Sequence, residues 1–140
     1  MIETEKIIEF IEDFWGEKLA LAEGECIFEK LGIEGNDAFE FMEKYSETFG
    51  VSLDDYRWYF HNGDEGWGLF GAILFKPPYS RVSHIPITIE TLTNSASSGK
   101  WTINYPEHEL PKHRYDILFD QLFVLFLLLL VFALLIMKVF

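Results

Sequence analysis

Leu122 to Met137, LFVLFLLLLVFALLIM, is sixteen apolar residues without interruption, and Val139 and Phe140 carry the run past Lys138. From Leu122 to the end is nineteen residues, or about 28 Å of α-helix, close to the ~30 Å hydrocarbon core of a bilayer. A helix apolar on every side needs a shell of protein or of lipid, and about 115 preceding residues with a strongly acidic surface are too small a body to supply one of protein. The expectation is a transmembrane helix over 119–140, with Lys138 snorkelling to the far headgroups and Asp120 and Gln121 at the near interface. Ala133 is the only small residue in the span, so helix pairing within the bilayer has no support and the segment reads as an anchor.

Lys112 and Arg114 stand just before the span, which by the positive-inside rule places the preceding domain in the cytoplasm, at the inner membrane. The start, MIETEKIIEFIEDFW, has neither the basic region nor the uninterrupted apolar core of a secretory signal. With the span at the end of the sequence, the expected route is tail-anchored, single-pass insertion.

The net charge of −12 is an N-terminal property, because residues 1–65 hold 18 Asp and Glu against 5 Lys and Arg. Such a field repels phosphate, which disfavours nucleic acid and points to a protein partner with a basic face. Cys26 is the only cysteine, so an intrachain disulfide and a multi-cysteine metal site are both excluded. Its neighbours Glu23, Glu25 and Glu29 disfavour a thiolate, and it reads as a small apolar residue.

Helical periodicity is strong in two places. Ile7, Ile8, Phe10, Ile11, Phe14 and Trp15 share one arc, opposite Glu5, Lys6, Glu9, Glu12 and Asp13, and the pattern stops near Gly16. Ala38, Phe41, Met42, Tyr45 and Phe49 line a second helix, with Phe39 at its edge, Glu40, Glu43 and Glu47 opposite, and Gly50 at its end. Asn36 or Gly35 is the expected cap, and Glu40 with Lys44 has favourable pair spacing. Ala20 to Glu25 reads as a loop or an extra turn. The spacing of Ser52 and Asp55 predicts a short third helix through Tyr56 to Phe60, and a last helix begins at Thr88, covers Ile89, Leu92 and Ala96, and ends before Gly99.

Between those last two helices lies a stretch, 61–86, holding Trp67, Leu69, Phe70, Ile73, Leu74 and Phe75, then Pro77 and Pro78. It is too short to cross a bilayer, and glycines at 66, 68 and 71 oppose a stable helix. Two readings remain: a short strand or hairpin packed on the bundle, or a loop dipping into the membrane surface beside the anchor. Short apolar runs are mostly core, which favours the first. From His108 to Arg114 the chain is polar and contains Pro111, a linker long enough to let the domain reorient on the membrane.

Lys30 to Ser52, KLGIEGNDAFEFMEKYSETFGVS, resembles an acyl carrier protein. In that family a Leu-Gly pair leads to an Asp-Ser dipeptide at the start of an acidic helix, and the serine carries phosphopantetheine. Leu31 and Gly32 match, Glu34 stands where the aspartate would be, and Gly35 replaces the serine; Asp37, Glu40 and Phe49 continue the match. Ser46 and Ser52 lie too far along to present a hydroxyl at that terminus. LGIEGNDAFEFMEKY, FGVSLDDYRWYF and ITIETLTNSASSGKW together are similar to domain of unknown function family 1493, whose members look acyl-carrier-like. The likeness spans about Ile7 to Trp101, within which 61–86 is an insertion that a minimal carrier does not have. It implies a mainly α protein: an acyl-carrier-like small helical bundle over 1–104, a linker over 105–118 and the anchor. It further implies that Glu34, Asp37, Glu40, Glu43 and Glu47 form a docking face for a basic partner, with no cofactor.

Catalytic patterns are not legible. His108-Glu-Leu-Pro-Lys-His113 has its histidines five apart with Pro111 between them, which breaks zinc-protease geometry, and His61 and His84 have no evident ligand pattern. The glycine-rich stretch at 63–71 lacks the lysine of a phosphate loop, and no GxSxG elbow occurs. The expectation is a non-enzymatic, membrane-tethered interaction module without a metal; the alternative is an accessory or carrier-like component of lipid or acyl metabolism.

Overall fold

A computed structural model describes residues 2–22, 24–63 and 70–139. Glu23, Gly66, Trp67, Gly68, Leu69 and Phe140, to which the sequence assigns roles above, lie outside the described residues. The described residues are mainly helical and contain no strand: α1 (Thr4–Trp15), α2 (Ile27–Leu31), α3 (Gly35–Phe49), α4 (Gly71–Leu74), α5 (Ile89–Ser98) and α6 (Tyr115–Val139), with 3-10 turns at Trp58–Phe60 and Pro78–Ser80.

The two amphipathic patterns meet across one aromatic core. Ile7 and Ile11 of α1 and Ala38, Phe41, Met42 and Tyr45 of α3 are buried with Phe28, Leu92 and Trp101. Phe41 meets Phe10, Phe14 and Phe28 at ring separations of 5.4, 5.2 and 5.5 Å, each close to edge-on. That geometry suits the quadrupoles of the rings. The Tyr45 hydroxyl donates to the Leu92 carbonyl and ties α3 to α5.

Three local expectations change in the folded chain. Glu34, not Asn36 or Gly35, is the residue before α3, and it makes no side-chain cap. The helix expected after Ser52 shrinks to the turn at Trp58–Phe60, because Ser52 spends its backbone groups elsewhere. Its N–H donates to the Gly99 carbonyl and its carbonyl accepts from Trp101 N–H, both at 3.0 Å, while its hydroxyl donates to Asp54 at 2.8 Å. The isolated parallel bridge between Ser52 and Lys100 is the result. Helix α2, which the sequence does not announce, is held by Ile27 N–H on the Ile87 carbonyl at 2.8 Å. At α5 the expectation stands, with Thr88 Oγ1 accepting from Thr91 N–H at 3.1 Å.

Among its described residues the insertion contains no strand, and its apolar turn lies on α6. Residues 71–74 form the single helical turn α4, which lies against α6. Phe70 N–H and Gly71 N–H both donate to Asp120 Oδ1, at 3.1 and 2.8 Å. The Phe70 ring meets Phe123 at 5.3 Å, and Phe75 reaches Tyr115 and Phe119 at 6.1 Å. Core packing loses here because Ile73, Leu74 and Phe75 follow one another through a single turn and cannot all face inward. The C-terminal part of the insertion does return to the bundle, through Ile85 N–H on the Phe60 carbonyl at 2.7 Å. A second connection therefore runs between bundle and α6, beside the polar linker.

A Cβ added at Gly71 would overlap the Asp116 carbonyl. Gly71→Ala should therefore push α4 off α6, at about 1–3 kcal/mol, as overpacking does elsewhere. Hydrogen exchange at Phe70 and Gly71 in detergent-solubilised protein should accelerate; unchanged protection would contradict the contact.

Helix α6 begins at Tyr115, ahead of the 119 expected. It is long and apolar enough to cross a membrane, and its apolar window is not buried by the rest of the chain. Its 25 residues give a length of about 37 Å. Arg114 pairs with Asp116 at 2.6 Å just where it starts.

Candidate functional site

Helix α3 sorts its residues by their distance from the core. Burial of Phe41, Met42 and Tyr45 on one side leaves Asp37, Glu40, Glu43 and Glu47 exposed on the other, within an arc of about 120° at ~100° per residue. Glu34, immediately before the helix, is exposed as well. The ion pairs found among the described residues are Lys30–Glu25, His84–Glu29 and Arg114–Asp116, so none joins these five acids, and Glu40 does not pair with Lys44. The structure gathers four of the five into one stripe on α3 but not into one cavity. Asp37 and Glu40 border a groove of about 750 Å³ between α1 and α3, whose walls include Phe10, Phe14, Trp15 and Phe49. Glu34 borders a separate cavity of about 300 Å³, and Glu43 and Glu47 line neither. Phe39, 44% exposed, meets Trp58 at a tilt with ring centroids 5.9 Å apart and supplies an apolar patch on the same helix as the acids.

Gly35, where the carrier resemblance expects a serine, has φ +52 and is the first residue of α3. That left-handed conformation suits glycine and strains any residue with a Cβ. The backbone at this point thus favours the residue that has no oxygen.

A second polar cluster lies under the smaller cavity. Tyr105 Oη accepts from Trp101 Nε1–H at 2.7 Å and from Arg57 N–H at 3.2 Å. Its own proton goes to His61 Nε2 at 2.7 Å, and His61 Nδ1–H donates to the Ile85 carbonyl at 2.7 Å. These partners fix the tautomer, since a carbonyl can only accept. Burial, relieved in part by that carbonyl and reinforced by nearby His84, lowers the His61 pKa to about 4. A neutral ring held this firmly is a strut of the fold. Nothing in the sequence marks the cluster, because its members come from three separate segments, 57–61, 85 and 101–105.

Among the described residues, one trio has donor atoms suited to a metal: Cys26, Glu29 and His84, all within 4.8 Å of one another. The sequence does not connect His84 to the other two across so long a separation. Thiolate, carboxylate and imidazole are together a reasonable zinc set. Yet Glu29 and His84 are exposed, and their own contact at 3.6 Å accounts for their approach when the imidazole is protonated.

No curated protein and no solved structure matches the chain. One family does: residues 3–104 fit the protein of unknown function family DUF1493, which spans the bundle and its insertion and stops short of α6, and the chain belongs to that family.

Proposed function

We propose that this protein is a membrane-tethered, non-catalytic interaction module in which an acyl-carrier-like bundle presents the acidic face of α3 to a partner with a basic surface. Helix α6 is the anchor, and Lys112 with Arg114 keeps the bundle on the cytoplasmic side of the inner membrane. The observation that carries the reading is the unpaired acidic stripe of Asp37, Glu40, Glu43 and Glu47, with exposed Phe39 on the same helix to add apolar contact. Among the described residues no ion pair takes up those charges, so their attraction is free for a partner. Gly35 supports the corollary that the bundle is recognised without being loaded, since phosphopantetheine must be joined to a side-chain oxygen.

Each exposed ion pair is worth about 0.2–1 kcal/mol. Reversing Glu40, Glu43 and Glu47 together to lysine should therefore weaken partner binding about tenfold, a loss near 1.4 kcal/mol. Binding by the unaltered protein should also fall with added salt. The measurement is recovery of the co-purifying protein from detergent-extracted membranes, and equal recovery with the triple variant removes α3 as the docking face.

A carrier-like or accessory role in lipid or acyl metabolism is the second reading, favoured by the aromatic-walled groove between α1 and α3. Treatment with a phosphopantetheinyl transferase and coenzyme A separates the two. The first expects no mass gain, and a gain would establish the second.

A further inference from the structure

Helix α4 is a single turn that turns its apolar residues outward. Ile73 is 77% and Leu74 61% exposed, with Phe70 and Phe75 also open, a concentration of surface that no other part of the bundle matches among the described residues. Singly scattered apolar residues need no explanation, but a contiguous patch on a short loop does. Its position supplies one. The turn is fixed to the first turns of α6 by Asp120, by Phe123 and by the Phe75 contacts, at the level where the continuous apolar surface of that helix begins. Whatever surrounds α6 at that depth also reaches α4.

The charges agree. No acidic residue occurs between Glu65 and Glu90 in a chain of net charge −12, whereas Lys76 and Arg81 follow α4 directly and are exposed. The nearest acids of α6 are already engaged, Asp116 by Arg114 and Asp120 by the amides of Phe70 and Gly71. A lipid interface asks for this combination: bulky apolar side chains below, cations at headgroup level and no unpaired carboxylate.

We infer that α4 is an interfacial wedge, with Ile73 and Leu74 inserted into the acyl boundary of the bilayer that α6 crosses and Lys76 and Arg81 among anionic headgroups. Two points of membrane contact, joined by the Asp120 clamp, then set the tilt of the bundle instead of leaving it to swing on one helix. The inference rests on the spanning role proposed for α6.

The test uses the full chain with Cys26→Ala, reconstituted in vesicles of phosphatidylcholine and phosphatidylglycerol. An environment-sensitive fluorophore is placed at Ile73→Cys or Leu74→Cys, at Leu128→Cys as a mid-span reference and at Glu47→Cys as an aqueous one. The wedge predicts blue-shifted emission at 73 and 74 that is quenched by lipids brominated near the headgroup, no quenching at 47, and quenching at 128 by lipids brominated deep in the chain. Emission at both 73 and 74 that escapes bromolipid quenching, while 128 is quenched, overturns the wedge and leaves the span in place. A blue shift without quenching has the same meaning, since it reports protein contact and not lipid. Loss of quenching at 128 removes the span, and the wedge with it.

Discussion

Phe41→Ala is expected to cost about 3–5 kcal/mol of bundle stability, the range for removing a fully buried phenylalanine. Phe41 has no exposed surface and touches three other rings, so its removal takes edge-on contacts from both α1 and α2 at once. Small domains hold only about 5–15 kcal/mol in total. The loss should appear as a fall of at least about 10 °C in Tm, given ~4–8 °C per kcal/mol for domains near this size. The control is Phe39→Ala on the outer side of the same helix, where 44% exposure makes the expected cost small. Thermal unfolding of the full chain in detergent micelles compares the two, and equal midpoints would mean that the aromatic core is not packed as described.

Acid should weaken the fold through His61. An unfolded histidine titrates near ~6.5, whereas burial brings this one to about 4 in the folded protein. The folded state therefore holds the neutral ring and the unfolded state takes up the proton. The contribution is complete above pH ~6.5 and is lost as the pH falls towards the folded value, with a slope of about 1.4 kcal/mol per pH unit and a total near 3 kcal/mol. The hydrogen bonds give the same sign, because protonation would place a donor against the proton that Tyr105 gives to Nε2. His61→Gln removes the titration and should flatten urea midpoints between pH 6.5 and 4. Parallel pH profiles for the two proteins would disprove this account.

Such a histidine was invisible in the linear chain, and the reason is general to the elements that differed. Periodicity at helical spacing was enough to place α1, α3 and α5, since those patterns are local and each buries a stripe that its own residues define. The run from Leu122 likewise marked α6, because a helix apolar all round has few possible surroundings. Ser52 carried a valid helix-start signal, yet its backbone was claimed by Gly99 and Trp101, far along the chain. The α4 segment looked like core by composition, yet a partner on α6 outcompeted the bundle for it. Of the proposed docking face, Asp37, Glu40, Glu43 and Glu47 could be grouped from the sequence, because one helix holds them. That Asp37 and Glu40 border a groove which Glu43 and Glu47 do not reach, and that Phe39 meets Trp58, could not.

The sequence by itself determined four amphipathic or apolar helices, the acidic side of α3 and the absence of an oxygen at Gly35, all properties of residues a few positions apart. Only the tertiary structure decided that Gly35 occupies a left-handed backbone, that His61 is held neutral by Tyr105 and Ile85, and that α4 is clamped to α6 by Asp120. The physical reason is that short-range pattern fixes which face of a helix avoids water, whereas desolvation and competition for backbone partners depend on what distant segments bring to the same place.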